Sequence, residues 1–480
     1  MNNVSSQKRI AITIAVLFFV VMIVIAYTYS GTGDEGDSIM HFLFSKYAFE
    51  HTHHFFHHWA KPVYVLITCI PAQFGFIGIQ VFNIFINALS IYLSFCVAQK
   101  LGIKHAWLVP LFLAVFPHQI IYSLSGLTEP LFAFALILLI HLWLYDKKII
   151  ALLLLSFLPF IRSEGLLVMV VFFIYLLLKK EWKILPLLMV GHVVYSLLGF
   201  IIYDKSLLWI FNENPYAVGT TSYGSGPWDA FINNIRFSTG IILYYILWLG
   251  MLLGLIYSIL KFILKKEVAF TLEFFFLIYG IFFSVFFFHS FAWYKGIFHS
   301  FGLIRVMVGV LPLISIICAK VINDIFLFIP ETKYPSHTIG VLIILVVATN
   351  FGYTKYAVIP DRDLQARGDQ KCQNEIGNYL WQYHRDCYNL PMYYAAPYIS
   401  IVLNRDYFDQ KIHPDFRNDF HNNVMKKPCY VLWDDWYAPV ECDVKLEDIE
   451  TNPSFKKIKK FWHWDINSGK DRVTILYKIE

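Results

Sequence analysis

Apolar runs of roughly twenty residues follow one another along most of this chain, parted by short polar connectors. They fall at 10–29, 76–98, 106–122, 129–145, 149–161, 165–178, 184–203, 237–260, 270–289, 302–319 and 338–353. A helix of about 20 residues crosses a hydrocarbon core of about 30 Å. With 58% hydrophobic and only 15% charged residues, the chain carries more apolar surface than a soluble globule of its size can hide from water. Lipid is the solvent that this pattern requires. The expected fold is an α-helical multi-pass membrane protein of about eleven spans, several of them short enough to line a cavity or reach part-way. The first run follows Lys8 and Arg9 and leads into "SGTGDEGD", which lacks a small-x-small cleavage site. It is expected to be a retained helix rather than a signal peptide.

Basic residues set the expected orientation. Lys8, Arg9, Lys100, Lys104, Lys147, Lys148, Lys179, Lys180, Lys183, Lys261, Lys265 and Lys266 fall in alternate short connections, while the opposite loops carry few. By the positive-inside rule the N-terminus is cytoplasmic and the first loop, 31–75, is outside. The net charge of +5 thus reports membrane orientation rather than nucleic-acid binding. An odd number of spans also places the tail outside.

Two domains are expected: 1–353 in the membrane and a small soluble extracytoplasmic α/β domain at 354–480. In the tail, "MYYAAPYISIVL", "CYVLW" and "RVTILYKI" read as strands and "CQNEIGNYLWQYH" as an amphipathic helix. Its cysteines, Cys372, Cys387, Cys429 and Cys442, admit one or two disulfides or free thiols. Cys69, Cys96 and Cys318 lie in or beside apolar segments and read as packing residues.

The chain shows no Walker or dinucleotide-binding glycine pattern, no HExxH and no CxxC. The first loop instead opens with Asp34, Glu35 and Asp37, where an apolar segment ends, and then passes through "HFLFSKYAF" and "HTHHFFHHWAKPVYVL". Aromatic residues over 40–49 are spaced for an amphipathic helix lying flat on the interface. This order of parts resembles the GT-C superfamily of integral membrane glycosyltransferases. In that resemblance Asp34–Glu35 stands at the acidic "DE" motif, and Trp59–Ala60–Lys61–Pro62–Val63 at the segment that leads back into the bilayer. "SGLTEPLFAF" (125–134), with Glu129, resembles the Ser/Thr-Glu-Pro turn of the mannosyltransferase-like branch. "FIRSEG" (160–165), with Arg162 and Glu164, resembles its R-x-E-G turn, and "HSFGLIRVMVGVLPL" (299–313) its late helix, with His299 and Arg305. Gly36–Asp37 stands where that family usually has an aromatic residue, which leaves Asp34 and Asp37 as rivals for one role.

The resemblance implies a polyprenyl-phosphate-linked sugar as donor, mannose or another hexose as its sugar, and a location in the cell membrane. Elementary chemistry supplies the roles. A phosphate leaving group departs without protonation, so transfer needs one general base for the acceptor hydroxyl and cations for the phosphate. A glycosidase needs a matched acid and base. Asp34 is the expected base, with Asp37 the rival and Glu35 in support, and single displacement inverts the anomeric carbon. Arg162, Lys295, His299 and Arg305 are the expected phosphate ligands, with Lys61, Glu129 and Glu164 beside them. Ionisable groups between apolar runs mark functional sites by default. The acceptor is a glycan, lipid or protein. The alternatives are a lipid-linked glycan polymerase or ligase, and a polar-lipid transporter or flippase, although paired halves with matching broken helices are not visible.

Three further stretches are weighed. "HTHHFFHH" carries His51, His53, His54, His57 and His58, which reads as an aromatic-rich interfacial turn; imidazoles also bind transition metals, and the superfamily includes metal-dependent members, so a divalent metal stays open without a ligand set. "VLWDDWYAPVEC" (431–442) reads as a strand end and turn, and 212–228 as an external loop that can act as a lid.

Overall fold

The computed structural model describes residues 4–216, 224–264, 271–327, 337–352 and 354–480. Among the described residues five helices are long and apolar enough to cross a membrane: Val4–Thr28, Phe76–Lys100, Trp182–Tyr203, Phe274–Lys295 and Ile304–Ile325. Five shorter apolar helices, among them Glu129–Leu144 and Gly165–Leu178, pack among them. The chain is thus a multi-pass helical assembly with a small sheet domain at its C-terminal end. Residues 217–223 of the expected lid, together with Lys265 and Lys266, lie outside the described residues.

In Val4–Thr28 the buried side chains, Gln7, Ala11, Ala15, Phe18, Met22 and Ala26, recur every three or four residues. They form one stripe against Phe76–Lys100. Three alanines let the two backbones approach, while Val16, Leu17, Val20, Val21 and Val24 stay exposed, as a lipid-facing side requires. The partner helix buries a polar stripe of its own: Gln80, Asn83, Asn87, Ser90 and Ser94. Gln80 Nε2 donates to the carbonyls of Gly31 (3.1 Å) and Leu124 (2.9 Å), and Asn83 Nδ2 to that of Ser125 (2.6 Å). Non-helical backbone at membrane depth needs such partners. These amides therefore hold the start of the first loop beside the 123–128 turn.

The expected span at 106–122 is two helices, Leu108–Val115 and Pro117–Ser123. Phe116 between them is extended, the conformation that a following proline enforces. The segment at 237–260 also differs: Ala230–Thr239 ends at Gly240, whose φ is 78°, and Ile241–Leu264 follows. A Cβ on Gly240 would sit 1.7 Å from Asn350 Oδ1, so only glycine admits that amide, which caps the Val115 and Thr239 carbonyls.

The helix in the first loop is Asp37–Lys46, and it does not lie flat on the interface. Ile39, His41, Phe42, Leu43 and Phe44 are all buried. Ile39, Phe42 and Leu43 share a cluster with Tyr398, Ile401, Tyr407 and Phe408 of the C-terminal part. The apolar residues that suggested a side facing the membrane interface instead pack against protein.

The sheet has the order β1-β2-β4-β3, with β1 Met392–Tyr394, β2 Cys429–Asp434, β3 Lys456–Asp465 and β4 Lys470–Ile479. β1 pairs parallel with β2, and the other pairings are antiparallel. "MYYAAPYISIVL" is a three-residue strand followed by a helix, Tyr398–Val402, because Pro397 begins a new turn. Helix Gly368–Tyr383 packs across β3 and β4 and covers the expected amphipathic segment. All seven cysteines are free thiols, so no disulfide braces this domain.

Candidate active site

Four segments converge where the first loop meets the membrane helices, and they bring an alternating chain of charges together. Arg305, in the helical turn Ile304–Val310, sends Nη1 to Asp34 Oδ2 and Nη2 to Asp37 Oδ2. Its Nε lies 3.7 Å from Glu129 Oε1. Glu129 Oε1 is 2.9 Å from Arg162 Nη1, and Arg162 Nη2 is 2.6 Å from Glu164 Oε1. His289 Nε2 completes the row at 3.1 Å from Glu164. A buried charge is tolerable only when paired, and here each guanidinium lies between carboxylates.

Local structure explains the placement. Glu129 opens a helix with Pro130 in its first turn, where a carboxylate faces the positive end of the helix dipole. Gly126 precedes it, and a Cβ there would lie 2.3 Å from the Ser38 carbonyl. The close approach lets Ser38 Oγ accept from Gly126 N–H at 2.7 Å and Tyr64 donate to the Gly126 carbonyl at 2.5 Å. The acidic loop is thereby fixed to the Ser-Gly-Leu-Thr-Glu turn.

The three loop carboxylates are not equivalent. Asp34 Oδ1 accepts from the N–H groups of Gly36 (3.1 Å) and Ser38 (3.2 Å), and Oδ2 accepts from Arg305. Both of its oxygens are engaged in holding the turn. Asp37 bonds Arg305 through one oxygen and is the more open of the two, 47% exposed against 21%. Glu35 turns away: its carboxylate lies 3.3 Å from Arg367 Nε and 4.0 Å from Arg472 Nη2, both in the C-terminal part. Burial pushes the Glu35 carboxyl up, against the pull of those two arginines. Asp369 nearby is pushed up to about 8 by burial and by the Glu35 charge.

A cavity of about 410 Å³ lies on the membrane side of the charge row. Its apolar wall includes Phe160, Leu166, Phe288, Phe301 and Leu303, and Lys61, His299 and Arg305 line its polar end. Lys61 is buried, with Nζ 3.1 Å from Ser163 Oγ and 4.4 Å from the centre of the Tyr216 ring. Among the described residues no carboxylate lies within ion-pair distance of it. Burial, with the Arg162 charge adding to it, pushes the Lys61 ammonium down to about 7. Lys61, Phe298 and His299 have φ of 67°, 58° and 51°, and all three line this cavity. Left-handed backbone at non-glycine residues costs about 1–3 kcal/mol each and gathers at functional sites.

A second cavity, of about 870 Å³, lies between the first loop and the C-terminal part. Asp37 and Trp59 line both cavities. The Trp59 indole stacks on His41 at 4.8 Å and 13°, and burial pushes that imidazole down to about 3, so it is neutral.

Of the residues singled out by sequence, Asp34, Asp37, Lys61, Glu129, Arg162, Glu164, His299 and Arg305 meet at or beside the first cavity. Lys295 does not. It is exposed at the end of helix Ile281–Lys295, with Nζ 5.3 Å from the Tyr294 ring centre. Glu35 ties the loop to Arg367 and Arg472 rather than facing a cavity. Sequence reasoning missed His289, Thr128, Ser163, Arg367 and Arg472. A lone histidine within "VFFFHSF" was a usable signal, since an ionisable group in an apolar helix needs a partner. The arginines gave none.

The histidine string does not fit a metal site. His54 Nδ1 is taken by the Phe44 carbonyl, His51 Nε2 by Asp406 at 2.7 Å, and His57 Nδ1 by Ala60 N–H. Among the described residues no three His, Cys, Asp or Glu side chains converge as metal ligands. Between Asp34 and Asp37 a guanidinium already stands.

No family model and no curated protein matches the sequence. The fold matches a crystal structure of ArnT from Cupriavidus metallidurans bound to undecaprenyl phosphate, with a TM-score of 0.62. That alignment covers 99% of this chain and 98% of the other at 12% identity. The apo structure of the same protein matches with a TM-score of 0.57 over 96% and 97% of the two chains, at 13% identity. The chain therefore shares the fold of that protein along nearly its whole length.

Proposed function

We propose that this protein transfers a sugar from a polyprenyl-phosphate carrier to an acceptor hydroxyl at the extracytoplasmic face of the membrane. The observation that carries the reading is Lys61: a buried amine with no carboxylate partner among the described residues, in a cavity whose lining is otherwise largely apolar. A lipid phosphate matches both the amine and the apolar lining. The undecaprenyl phosphate bound in the ArnT neighbour agrees with that match.

In the proposed reaction Lys61 holds the phosphate, and Arg305 and Arg162 face it with the remainder of their charge. An acceptor oxygen attacks the anomeric carbon, the carbon–oxygen bond to phosphate breaks, and its electron pair leaves on the phosphate. The hydroxyl proton passes to a carboxylate. Asp37 suits that task better than Asp34, because it keeps a free oxygen and stands at the seam of the two cavities, whereas Asp34 is occupied in holding the loop. Asp34 then orients Arg305. The sheet domain and the first loop lie outside, as the basic connectors imply.

The test is purified protein in lipid nanodiscs, given polyprenyl-phosphate hexoses and a mixture of glycan, glycolipid and peptide acceptors. Release of free polyprenyl phosphate together with acceptor glycosylation, both lost in Lys61→Ala, is the expected result. Lipid flipping without sugar transfer contradicts the reading.

A further inference from the structure

The second cavity differs from the first in position and in the residues that line it. We infer that it is the acceptor site and that it receives a neutral, water-borne oligosaccharide. The inference rests on the proposed transfer for the word "acceptor", but glycan binding there is testable without any donor.

Position is the first argument. The walls come from the first loop and from residues between Tyr394 and Cys442, and among the described residues none of the long apolar helices contributes. The cavity opens between these two parts, so a molecule dissolved in water enters it directly. Asp37 and Trp59 stand at the end shared with the other cavity, so a hydroxyl at that end meets the proposed base. A volume of about 870 Å³ lies within the ~300–1,000 Å³ typical of ligand sites.

The lining supplies the second argument. Tyr394 and His413 stack at 3.9 Å, His413 meets Tyr407 at 4.5 Å, and Phe408 meets Phe44 at 4.6 Å. Tyr394 and Phe44 are themselves buried, so the aromatic surface open to the cavity is that of Tyr407, Phe408, His413 and Trp59. The negative face of an aromatic ring attracts the slightly positive C–H face of a pyranose, and polar groups at its edge take the hydroxyls.

Charge decides between neutral and anionic glycans. Asp37, Asp415 and Glu441 line the cavity against a single permanent cation, Arg417. Burial holds His53, His57 and His413 below the ordinary histidine value, so they add little positive charge. A phosphate or uronate would meet like charge. The first cavity sets Lys61, Arg162 and Arg305 beside Asp37, Glu129 and Glu164, so cations there balance the carboxylates and Lys61 has no carboxylate within ion-pair distance among the described residues. Phosphate on one side and hydroxyls on the other is a separation that keeps donor and acceptor from exchanging places.

The experiment uses full-length protein in nanodiscs without donor, with neutral gluco-, manno- and N-acetylglucosamine hexasaccharides and an anionic hexauronate, read by saturation-transfer NMR. At least one neutral hexasaccharide is expected to bind at millimolar concentration, about tenfold tighter than the hexauronate. Tyr407→Ala should weaken the neutral ligand about tenfold, whereas Asp415→Asn with Glu441→Gln should narrow the neutral-to-anionic gap while leaving neutral binding in place. Equal or tighter hexauronate binding, or no binding by any neutral hexasaccharide, overturns the inference. Transfer to a phosphorylated glycolipid that Tyr407→Ala does not affect also overturns it, and leaves the transferase reading intact. Tyr407-dependent glycan binding with no transfer from any polyprenyl-phosphate sugar does the opposite.

Discussion

Glu35 and Asp37 lie two residues apart, yet they belong to different halves of the protein. Asp37 faces Arg305 and both cavities, while Glu35 is drawn between Arg367 and Arg472 of the C-terminal part. Arg472 also approaches Asp435 and Asp465, each at 3.8 Å, so Glu35 enters a network that exists for its own structural reasons. One end of the acidic loop is thus open to substrate, and the other is locked onto a domain encoded more than three hundred residues later. A run of carboxylates is not one feature. The turn that Asp34 closes points its neighbours in opposite directions.

Arg305 is where the largest effect is expected. Arg305→Ala leaves Asp34, Asp37 and Glu129 facing one another, and breaking a buried pair costs about 3–5 kcal/mol. Transfer should fall by more than about a thousandfold, with partial recovery in Arg305→Lys, in a nanodisc assay. If Arg305→Ala retains a tenth of the activity, the charge row is not part of the site.

Lys61 comes next. Its removal should weaken undecaprenyl phosphate binding by about ten- to a hundredfold, the scale of a charged hydrogen bond. The free ammonium sits near 7, and an arriving phosphate raises it. Binding at pH 8, where the phosphate is already a dianion, should therefore take up close to one proton, and binding at pH 6 should instead release part of one from the phosphate, measured by calorimetry in buffers of different ionisation enthalpy. Lys61→Arg should abolish the uptake. Proton release at pH 8 would place the phosphate elsewhere.

Glu35 should behave as the other half of the comparison. Glu35→Gln is expected to cost about 1–2 kcal/mol in the tie between loop and domain and to speed hydrogen exchange around 365–372, with less than about tenfold loss of transfer. A loss as large as that of Arg305→Ala would erase the distinction. Asp369 gives a signal in stability rather than in transfer. Its folded-state value of about 8 lies above the ordinary 3.8, so the folded chain holds the extra proton and stability declines as pH rises from about 4 to about 8. Asp369→Asn should flatten that slope in thermal melts, and an unchanged slope would assign it to another group.

Much of this was legible in the sequence because it rests on local rules. Hydrophobic runs gave the multi-pass helical architecture, and ionisable residues at the ends of apolar runs marked Glu129, Arg162, Glu164 and Arg305. The misplacements have physical causes. Proline at 117 splits one apolar run into two helices, which a composition window cannot register. β3 reads "KKIKKFWHWD", so its lysines hide the alternation; they suit a sheet edge that faces water. Lys295 follows an apolar helix just as Arg305 precedes one, and only tertiary packing turns one outward and the other inward. The partners of Glu35 were beyond reach, since nothing local relates a residue in the first loop to Arg472.

The central claim is that Asp37, at the seam of the two cavities, takes the proton while Asp34 holds the loop. Single-turnover transfer with the donor site saturated tests it directly in Asp37→Asn and Asp34→Asn. Asp37→Asn should slow the step by about a hundredfold to ten-thousandfold with donor binding unchanged, and Asp34→Asn should slow it less. A greater loss in Asp34→Asn, or an undiminished rate in Asp37→Asn, would contradict the account.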